Sequence, residues 1–197
     1  MKLNEEFWTE RYNSNQIGWD LGDISTPLKE YFDQLEDKRL KILIPGGGNS
    51  YETQYLFENG FENVYVVDIA QPPLDNLKKR CPAILQNQLI HDDFFKLADQ
   101  FDLIVEQTFF CALDPSLRSN YAHKMHELLR SGGKLVGVLF NIPLNDDHPP
   151  FGGNKDEYLK YFDPLFDIKV MESCYNSIEP RSGNELFMIL ERIKNDM

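Results

Sequence analysis

The length and composition are those of one globular domain, with 197 residues of which 42% are hydrophobic. The formal net charge of −12 argues against a surface for nucleic acids or anionic membranes, since both need clustered basic residues. Three cysteines form no spaced set, so neither a disulfide framework nor a zinc site is indicated. The N-terminus lacks the apolar core of a signal peptide, and no apolar run approaches the ~18 residues of a membrane span. We therefore expect a cytoplasmic protein.

The first segment is rich in aromatic residues. Residues 4–13 are predicted to form a short helix and residues 14–25 a loop, and together they carry Trp8, Tyr12 and Trp19. We call residues 4–25 the lid. Its aromatic rings either pack on the core or cover a cationic ligand, because aromatic faces attract cations by ~0.5–2 kcal/mol.

A second helix leads from the lid to the first strand. Thr26 and Pro27 are an N-cap and first-turn pair, and an apolar stripe follows them at helical spacing. We expect a single domain in which residues 1–38 form the lid and this helix and residues 39–197 form a sheet core.

The next stretch predicts a strand, a glycine turn, a helix and a second strand. Residues 41–44 are an apolar run typical of a strand buried on both faces, and glycines occupy 46–48. Asn49 and Ser50 can cap a helix, after which the apolar run 64–67 ends at Asp68. Glycines remove Cβ atoms, so a ligand can approach the main chain above the strand ends.

The acid at the end of the second strand indicates a nucleoside-type cofactor. Asp68 can accept hydrogen bonds from both hydroxyls of a ribose. Tyr51 stands where a dinucleotide site prefers a small residue, and this argues for a cofactor without phosphate. S-adenosylmethionine (AdoMet) is the first hypothesis, and an NAD-dependent dehydrogenase is the weaker alternative.

The next predicted helix and strand are followed by an acidic residue and an aromatic residue. A helix opens at Pro72-Pro73, and residues 84–90 are predicted to form the third strand. Asp93 and Phe94 follow and could bind and stack on an adenine, or merely form a solvated turn. Residues that are adjacent in the chain seldom bind one metal ion together, so the acidic residues here predict no metal site.

The fourth strand leads into an apolar loop. Residues 101–106 predict a strand that ends at Glu106, and residues 107–113 include Phe109 and Phe110. Loops avoid such residues unless they pack or bind something, so this loop is a candidate wall of a reaction pocket.

The C-terminal part completes the predicted sheet. A helix begins near Asp114, residues 134–140 form the fifth strand, and the irregular segment 141–154 with Phe151 follows at a ligand-binding edge. Two more apolar runs, 168–175 and 186–192, have no helix between them, which indicates an antiparallel pair at the edge of the sheet.

Five alternating strands and helices followed by a hairpin resemble a class I AdoMet-dependent methyltransferase. This is an α/β, Rossmann-like fold with a seven-stranded, mostly parallel sheet, a C-terminal antiparallel hairpin, helices on both faces and an N-terminal helical lid. The set of motifs resembles the thiopurine S-methyltransferase family, especially its plant thiol and halide methyltransferases and their bacterial relatives. The motifs are Trp8, Tyr12, Trp19-Asp20, Thr26-Pro27-Leu28, Ile44-Pro45-Gly46-Gly47-Gly48, Val67-Asp68-Ile69, Asp93-Phe94-Phe95, Phe101-Asp102-Leu103-Ile104 and Phe110-Cys111-Ala112-Leu113-Asp114-Pro115.

The resemblance implies two groups of site residues. The AdoMet contacts are Trp8, Tyr12, Trp19, Gly46, Gly48, Asp68, Ile69, Asp93, Phe94 and Glu106. The substrate pocket comprises Phe109, Phe110, Phe140 and Phe151. Gly46 and Gly48 back the methionine part of the cofactor, and Glu106, where relatives usually carry aspartate, lies near its amino group.

Two departures from the family pattern affect these expectations. The usual Gly-x-Gly turn has glycine in its middle position as well, at Gly47. Some plant relatives carry a pocket tyrosine where this sequence has Phe140, which puts halide or thiocyanate activity in doubt.

The resemblance implies transfer of a methyl group to a small soft nucleophile such as a thiol, a thiopurine, a halide or thiocyanate, with S-adenosylhomocysteine as the product. A thiol needs little general-base assistance, which agrees with the lack of a catalytic dyad. His148 and Arg181 are candidates to touch an anionic acceptor or to be solvated loop residues. Alternatives are an O- or N-methyltransferase using His148 or Glu106 as base, and a non-catalytic AdoMet-binding protein. We expect a monomer that binds a small-molecule acceptor.

Overall fold

The computed structural model describes residues 2–145 and 147–193, which form a seven-stranded sheet with helices. The strands are β1 (Ile42–Pro45), β2 (Val64–Asp68), β3 (Leu89–His91), β4 (Phe101–Gln107), β5 (Leu129–Phe140), β6 (Phe166–Ser173) and β7 (Glu185–Arg192). The helices are α1 (Glu5–Asn13), α2 (Thr26–Asp33), α3 (Tyr51–Glu58), α4 (Gln71–Arg80), α5 (Arg118–Leu128) and α6 (Lys155–Phe162).

The sheet has the strand order β3-β2-β1-β4-β5-β7-β6. Strands β1 to β5 are parallel, whereas β7 pairs antiparallel with both β5 and β6. The predicted C-terminal antiparallel pair is therefore confirmed. The order reverses between β1 and β4, and such a switch point leaves a crevice outside the carboxyl ends of the strands.

Alternate residues of the central strands enter two separate cores. Leu43 and Ile104 pack with α5 and α6, whereas Ile42, Ile44 and Leu103 pack with α2, α3 and α4. Each face of the sheet is thus covered by helices, which explains why β1 is apolar without alternation.

Some element boundaries differ from the sequence expectation. The third strand is shortened to Leu89–His91 because residues 86–88 form a 3-10 turn. Strand β5 begins at Leu129, five residues before the predicted start at residue 134, and therefore includes Gly132 and Gly133. Gly132 lies within β5 and has a left-handed φ of +73°, which favours glycine. It accommodates a shift in the register of β5 against β4, between Phe101 and Leu103 of β4.

The lid packs lightly on the body of the protein. The Asn4 side chain accepts a hydrogen bond from the Phe7 amide and caps α1, and no residue of α1 itself is buried. Within residues 2–145 and 147–193, no helix has the length and apolar character needed to cross a membrane.

Candidate functional site

A cavity of about 940 Å³ lies between the lid and the carboxyl ends of the strands. This volume is at the upper end of the range for small-molecule sites, about 300–1,000 Å³, and leaves room for two ligands. It is lined by twelve of the predicted site residues, namely Trp8, Tyr12, Trp19, Gly46, Gly48, Asp68, Ile69, Asp93, Phe94, Phe109, Phe140 and Arg181.

The glycine turn after β1 is closely surrounded by aromatic side chains. Gly46 and Gly48 have φ values of +56° and +55°, which favour glycine. A Cβ on Gly46 would overlap the ring of Phe109, and one on Gly48 would lie 2.6 Å from the Tyr12 hydroxyl. Packing also requires glycine at position 47, because a Cβ there would lie 2.7 Å from Cγ1 of Val66. The additional glycine of the turn is thus explained by its contact with β2.

Asp68 is held at the end of β2 by the backbone. Its Oδ2 accepts a hydrogen bond from the Gly48 amide at 3.0 Å, and its Oδ1 accepts one from the Ala70 amide at 2.8 Å. Burial raises the pKa of this carboxyl, and the two amide hydrogen bonds oppose that effect. Each oxygen keeps a second lone pair, so the carboxylate can still accept hydrogen bonds from ligand hydroxyls. The cradle of glycine and acid therefore fits a nucleoside.

The lid covers this cradle with an aromatic cluster. The ring centroid of Trp19 lies 5.5 Å from that of Trp8 and 5.8 Å from that of Tyr12, both in edge-to-face geometry. The Asn49 amide donates a hydrogen bond to the Asp20 carboxylate, which joins the lid to the glycine turn. Burial is the main cause that raises the pKa of Tyr12, with Asp68 next.

Arg181 is a buried cation in the cavity wall, in the turn before β7. Its Nη1 donates to Oε1 of Glu185 at 3.3 Å, and its Nη2 donates to the Trp19 carbonyl oxygen at 2.9 Å. The guanidinium carbon lies 5.2 Å from the centroid of the Phe140 ring. Glu185 was not predicted from the sequence, because it begins a strand and Arg181 lies in a turn, so no regular spacing links the two.

Glu106, which the resemblance places near the amino group of AdoMet, is not among the residues that line this cavity. Its Oε1 accepts hydrogen bonds from the amides of Phe109 and Phe110 at 2.7 and 3.0 Å, and the Tyr121 hydroxyl donates to its Oε2. Burial raises the pKa of Glu106 to about 7. Its oxygens bind the following loop and α5, so Glu106 holds a wall of the cavity in position.

Three other predicted site residues also lie outside the cavity lining. Phe110 and Phe151 are 1% and 3% exposed and belong to the core, because the loops that carry them bury an apolar side chain beneath the cavity. His148 is exposed, and its Nδ1 lies 3.1 Å from the Pro149 carbonyl oxygen. Its neighbours Pro149 and Pro150 line the cavity instead.

The charge of the cavity wall suits a cationic ligand. Six carboxylate residues line it, against three basic residues. They are Asp20, Asp23, Glu52, Asp68, Asp92 and Asp93, against Lys2, Arg11 and Arg181. Glu52, on the first turn of α3, is 5% exposed, and burial raises its pKa. The sequence gives no signal for Glu52, which reads as an ordinary helix residue.

Solved structures share this fold. The chain is similar to magnesium protoporphyrin IX methyltransferase from Synechocystis, with a TM-score of 0.72, 13% identity and coverage of 98% of each chain. It is also similar to 1,6-didemethyltoxoflavin-N1-methyltransferase from Burkholderia thailandensis, with a TM-score of 0.73 and 17% identity, over 96% of this chain and 87% of that chain. The class I methyltransferase fold is thereby confirmed.

Curated relatives are similar over nearly the whole chain. A probable thiol methyltransferase 2 from Arabidopsis thaliana is 28% identical, over 90% of this chain and 81% of the relative. A thiopurine S-methyltransferase from Photobacterium profundum is 24% identical, over 93% of this chain and 94% of the relative. The family model described as thiopurine S-methyltransferase (TPMT) matches residues 3–195. With the cavity, the fold and this match in agreement, the chain belongs to the thiopurine S-methyltransferase family.

Proposed function

We propose that the protein transfers the methyl group of AdoMet to the sulfur of a small thiol or thione, with Arg181 contacting the acceptor. Family membership and fold make it an AdoMet-dependent methyltransferase that acts on small molecules. The observation that carries the finer proposal is Arg181, a buried cation in the cavity wall beside β7, which β1, β4 and β5 separate from β2 and Asp68.

The cavity divides naturally into a cofactor half and an acceptor half. Gly46 follows β1 and Asp68 ends β2. Phe140 ends β5 and Arg181 precedes β7, and these two strands lie on the other side of β4. In the cofactor half, the glycine turn supports the methionine part and Asp68 the ribose hydroxyls. Asp93, Phe94 and Ile69 are proposed to contact the adenine side, with the lid aromatics over the sulfonium.

Bound AdoMet supplies an electrophilic methyl carbon on a positively charged sulfur. The residues of the acceptor half would orient the acceptor sulfur toward that carbon, because positioning provides much of the rate. A thiol has a pKa of about 8.5, and a nearby guanidinium favours its thiolate form, with the proton released to water. A thione acceptor would instead release the proton of its neighbouring N–H group.

The O- or N-methyltransferase alternative is less well supported. It needs a general base, but His148 is exposed outside the cavity and the Glu106 oxygens bind the protein itself. Halide and thiocyanate remain acceptors to be tested, because a relative from Brassica oleracea with 26% identity is named thiocyanate methyltransferase 1.

Calorimetry followed by a transfer assay tests the proposal. We expect AdoMet and S-adenosylhomocysteine to bind and NAD, the control, not to bind. A panel of thiols, thiopurines, thiocyanate and iodide then identifies the acceptor by its methylated product. Binding of AdoMet without methylation of any thiol or thione would contradict the proposed reaction.

The R181M variant tests the assigned contact. Loss of a charged hydrogen bond costs about 1.5–3 kcal/mol, so we expect kcat/KM for the thiol to fall by about 10- to 100-fold. The affinity for AdoMet should fall less, because its main proposed contacts are the glycine turn and Asp68. R130M is the matched control, since Arg130 pairs with Asp102 at the surface and does not line the cavity.

We also propose that the protein acts in the cytoplasm as a monomer without nucleic acid. The net charge of −12 supports the last point. The edge strand β6 carries Asp167 and Lys169, and charged residues on an edge strand oppose pairing with another chain. Sedimentation equilibrium measures the oligomeric state directly.

A further inference from the structure

Arg181 is held between a fixed part of the protein and the lid. Glu185, its ion-pair partner, pairs with Phe140 across β5 and β7, and its carbonyl oxygen accepts a hydrogen bond from the Cys174 amide at 2.8 Å. Trp19, its backbone partner, belongs to the lid, whose helix α1 has no buried residue. Glu185 is thus the fixed contact of Arg181 and Trp19 the more easily broken one.

The burial of the pair makes Glu185 necessary for the position of Arg181. The side chains of Arg181 and Glu185 are only 10% and 5% exposed. A buried charge without a counter-charge is strongly disfavoured, so Arg181 without Glu185 would turn away from the cavity wall toward solvent. The Trp19 carbonyl is neutral, and Glu52, the other carboxylate that interacts with Arg181, shares no hydrogen bond with it, so neither replaces the Glu185 contact.

We propose that Glu185 is a positioning residue for methyl transfer, which holds the Arg181 guanidinium at the acceptor end of the cavity. Through the second hydrogen bond of Arg181, to the Trp19 carbonyl, the same contact fixes the lid in its closed position. An ordered acceptor site and a closed lid therefore depend on one ion pair. This inference rests on the proposed function, in that Arg181 meets the acceptor.

The neutral, near-isosteric variant E185Q tests the role of the charge. We expect the KM for the thiol acceptor to rise by about tenfold, because the charged hydrogen bond of Arg181 becomes a weaker, neutral one. Binding of S-adenosylhomocysteine, measured by calorimetry, should weaken less than acceptor binding, because its main proposed contacts are the glycine turn and Asp68 rather than the lid. E185D, which keeps the charge on a shorter side chain, should recover part of the loss.

Tryptophan fluorescence supplies a readout that does not depend on activity. The two tryptophans of the chain, Trp8 and Trp19, both lie in the lid. We expect acrylamide to quench their emission more strongly in E185Q than in the wild type, with S-adenosylhomocysteine bound in both. The control E179Q removes an exposed charge from the same turn and should behave as the wild type.

Two outcomes would overturn the inference. One is an E185Q protein with unchanged acceptor KM and unchanged quenching. The other is an equal loss of acceptor and S-adenosylhomocysteine binding with a lower Tm, without recovery in E185D, which would make Glu185 merely structural. If the wild type methylates no thiol, the proposed function fails, whereas the quenching comparison still decides whether the pair holds the lid.

Discussion

Two residues of the glycine turn have neighbours that leave no room for a side chain. Phe109 comes from the loop after β4 and Tyr12 from the lid, and they occupy the space above Gly46 and Gly48 respectively. The left-handed φ angles add a second, independent requirement for glycine. The turn is therefore a point at which the sheet, the lid and the loop after β4 meet.

The variant G46A should weaken cofactor binding. A left-handed alanine costs about 1–2 kcal/mol, and its Cβ must also displace the Phe109 ring. We expect the affinity for AdoMet, measured by calorimetry, to fall by about tenfold or more. G60A is the control, because Gly60 has a φ of +83° with nothing within 4 Å of its Cβ, so it should lose stability without losing affinity. Equal affinities in G46A and the wild type would contradict this role of the turn.

Glu106 should make stability depend on pH. Its pKa is about 7 in the folded protein, against about 4.3 in the unfolded chain, so the folded state holds a proton that the unfolded state releases. The stabilising contribution of the protonated form is complete below about pH 4.3 and is lost as pH rises through 7.

The E106Q variant isolates that contribution, because glutamine resembles the protonated acid. We expect the free energy of unfolding of the wild type, relative to E106Q, to fall by on the order of 2–3 kcal/mol between pH 5 and pH 8. Urea denaturation at both pH values measures it, and other titrating groups cancel in the comparison. A constant difference would show that Glu106 stays ionised throughout.

At the scale of elements, the long segment between β5 and α6 is held in place by Arg118 of α5. The Arg118 side chain is fully buried, its Nη2 donates to the Gly152 carbonyl oxygen at 2.6 Å, and its Nη1 donates to Glu157 of α6. Pro149 and Pro150 of the same segment line the cavity. One buried arginine thus holds the segment that contributes Pro149 and Pro150 to the cavity wall.

The variant R118M should loosen that wall. Breaking a buried ion pair costs about 3–5 kcal/mol, and we expect about 3 kcal/mol in urea denaturation because the Glu157 side chain is 22% exposed. The acceptor KM should rise while AdoMet affinity is retained. R130M, which breaks an ion pair of half-exposed side chains, should cost below about 1 kcal/mol. Equal losses in the two variants would contradict the assignment.

At the scale of the whole molecule, the sequence predicts the order of strands, helices and turns better than it predicts the directions of single side chains. Apolar runs, glycines and Asp68 locate the cofactor half, because buried parallel strands and tight turns restrict the residues that can occupy them. Phe109 and Phe110 could not be told apart, since a 3-10 turn sends one ring to the cavity and the next into the core. The inward direction of Glu106 depends on Tyr121, which is distant in sequence and leaves no local signal.

The position of β7 has a consequence for biosynthesis. A ribosome releases the chain from its N-terminus, yet β7, near the end of the sequence, lies between β5 and β6. Until β7 emerges, a nascent chain exposes the hydrogen-bonding edge of β5, and such edges promote aggregation. Arg181 and Glu185 reach their places only as this gap closes. The proposed acceptor site is thus completed only after β7 has emerged, later than the glycine turn and Asp68 of the proposed cofactor half.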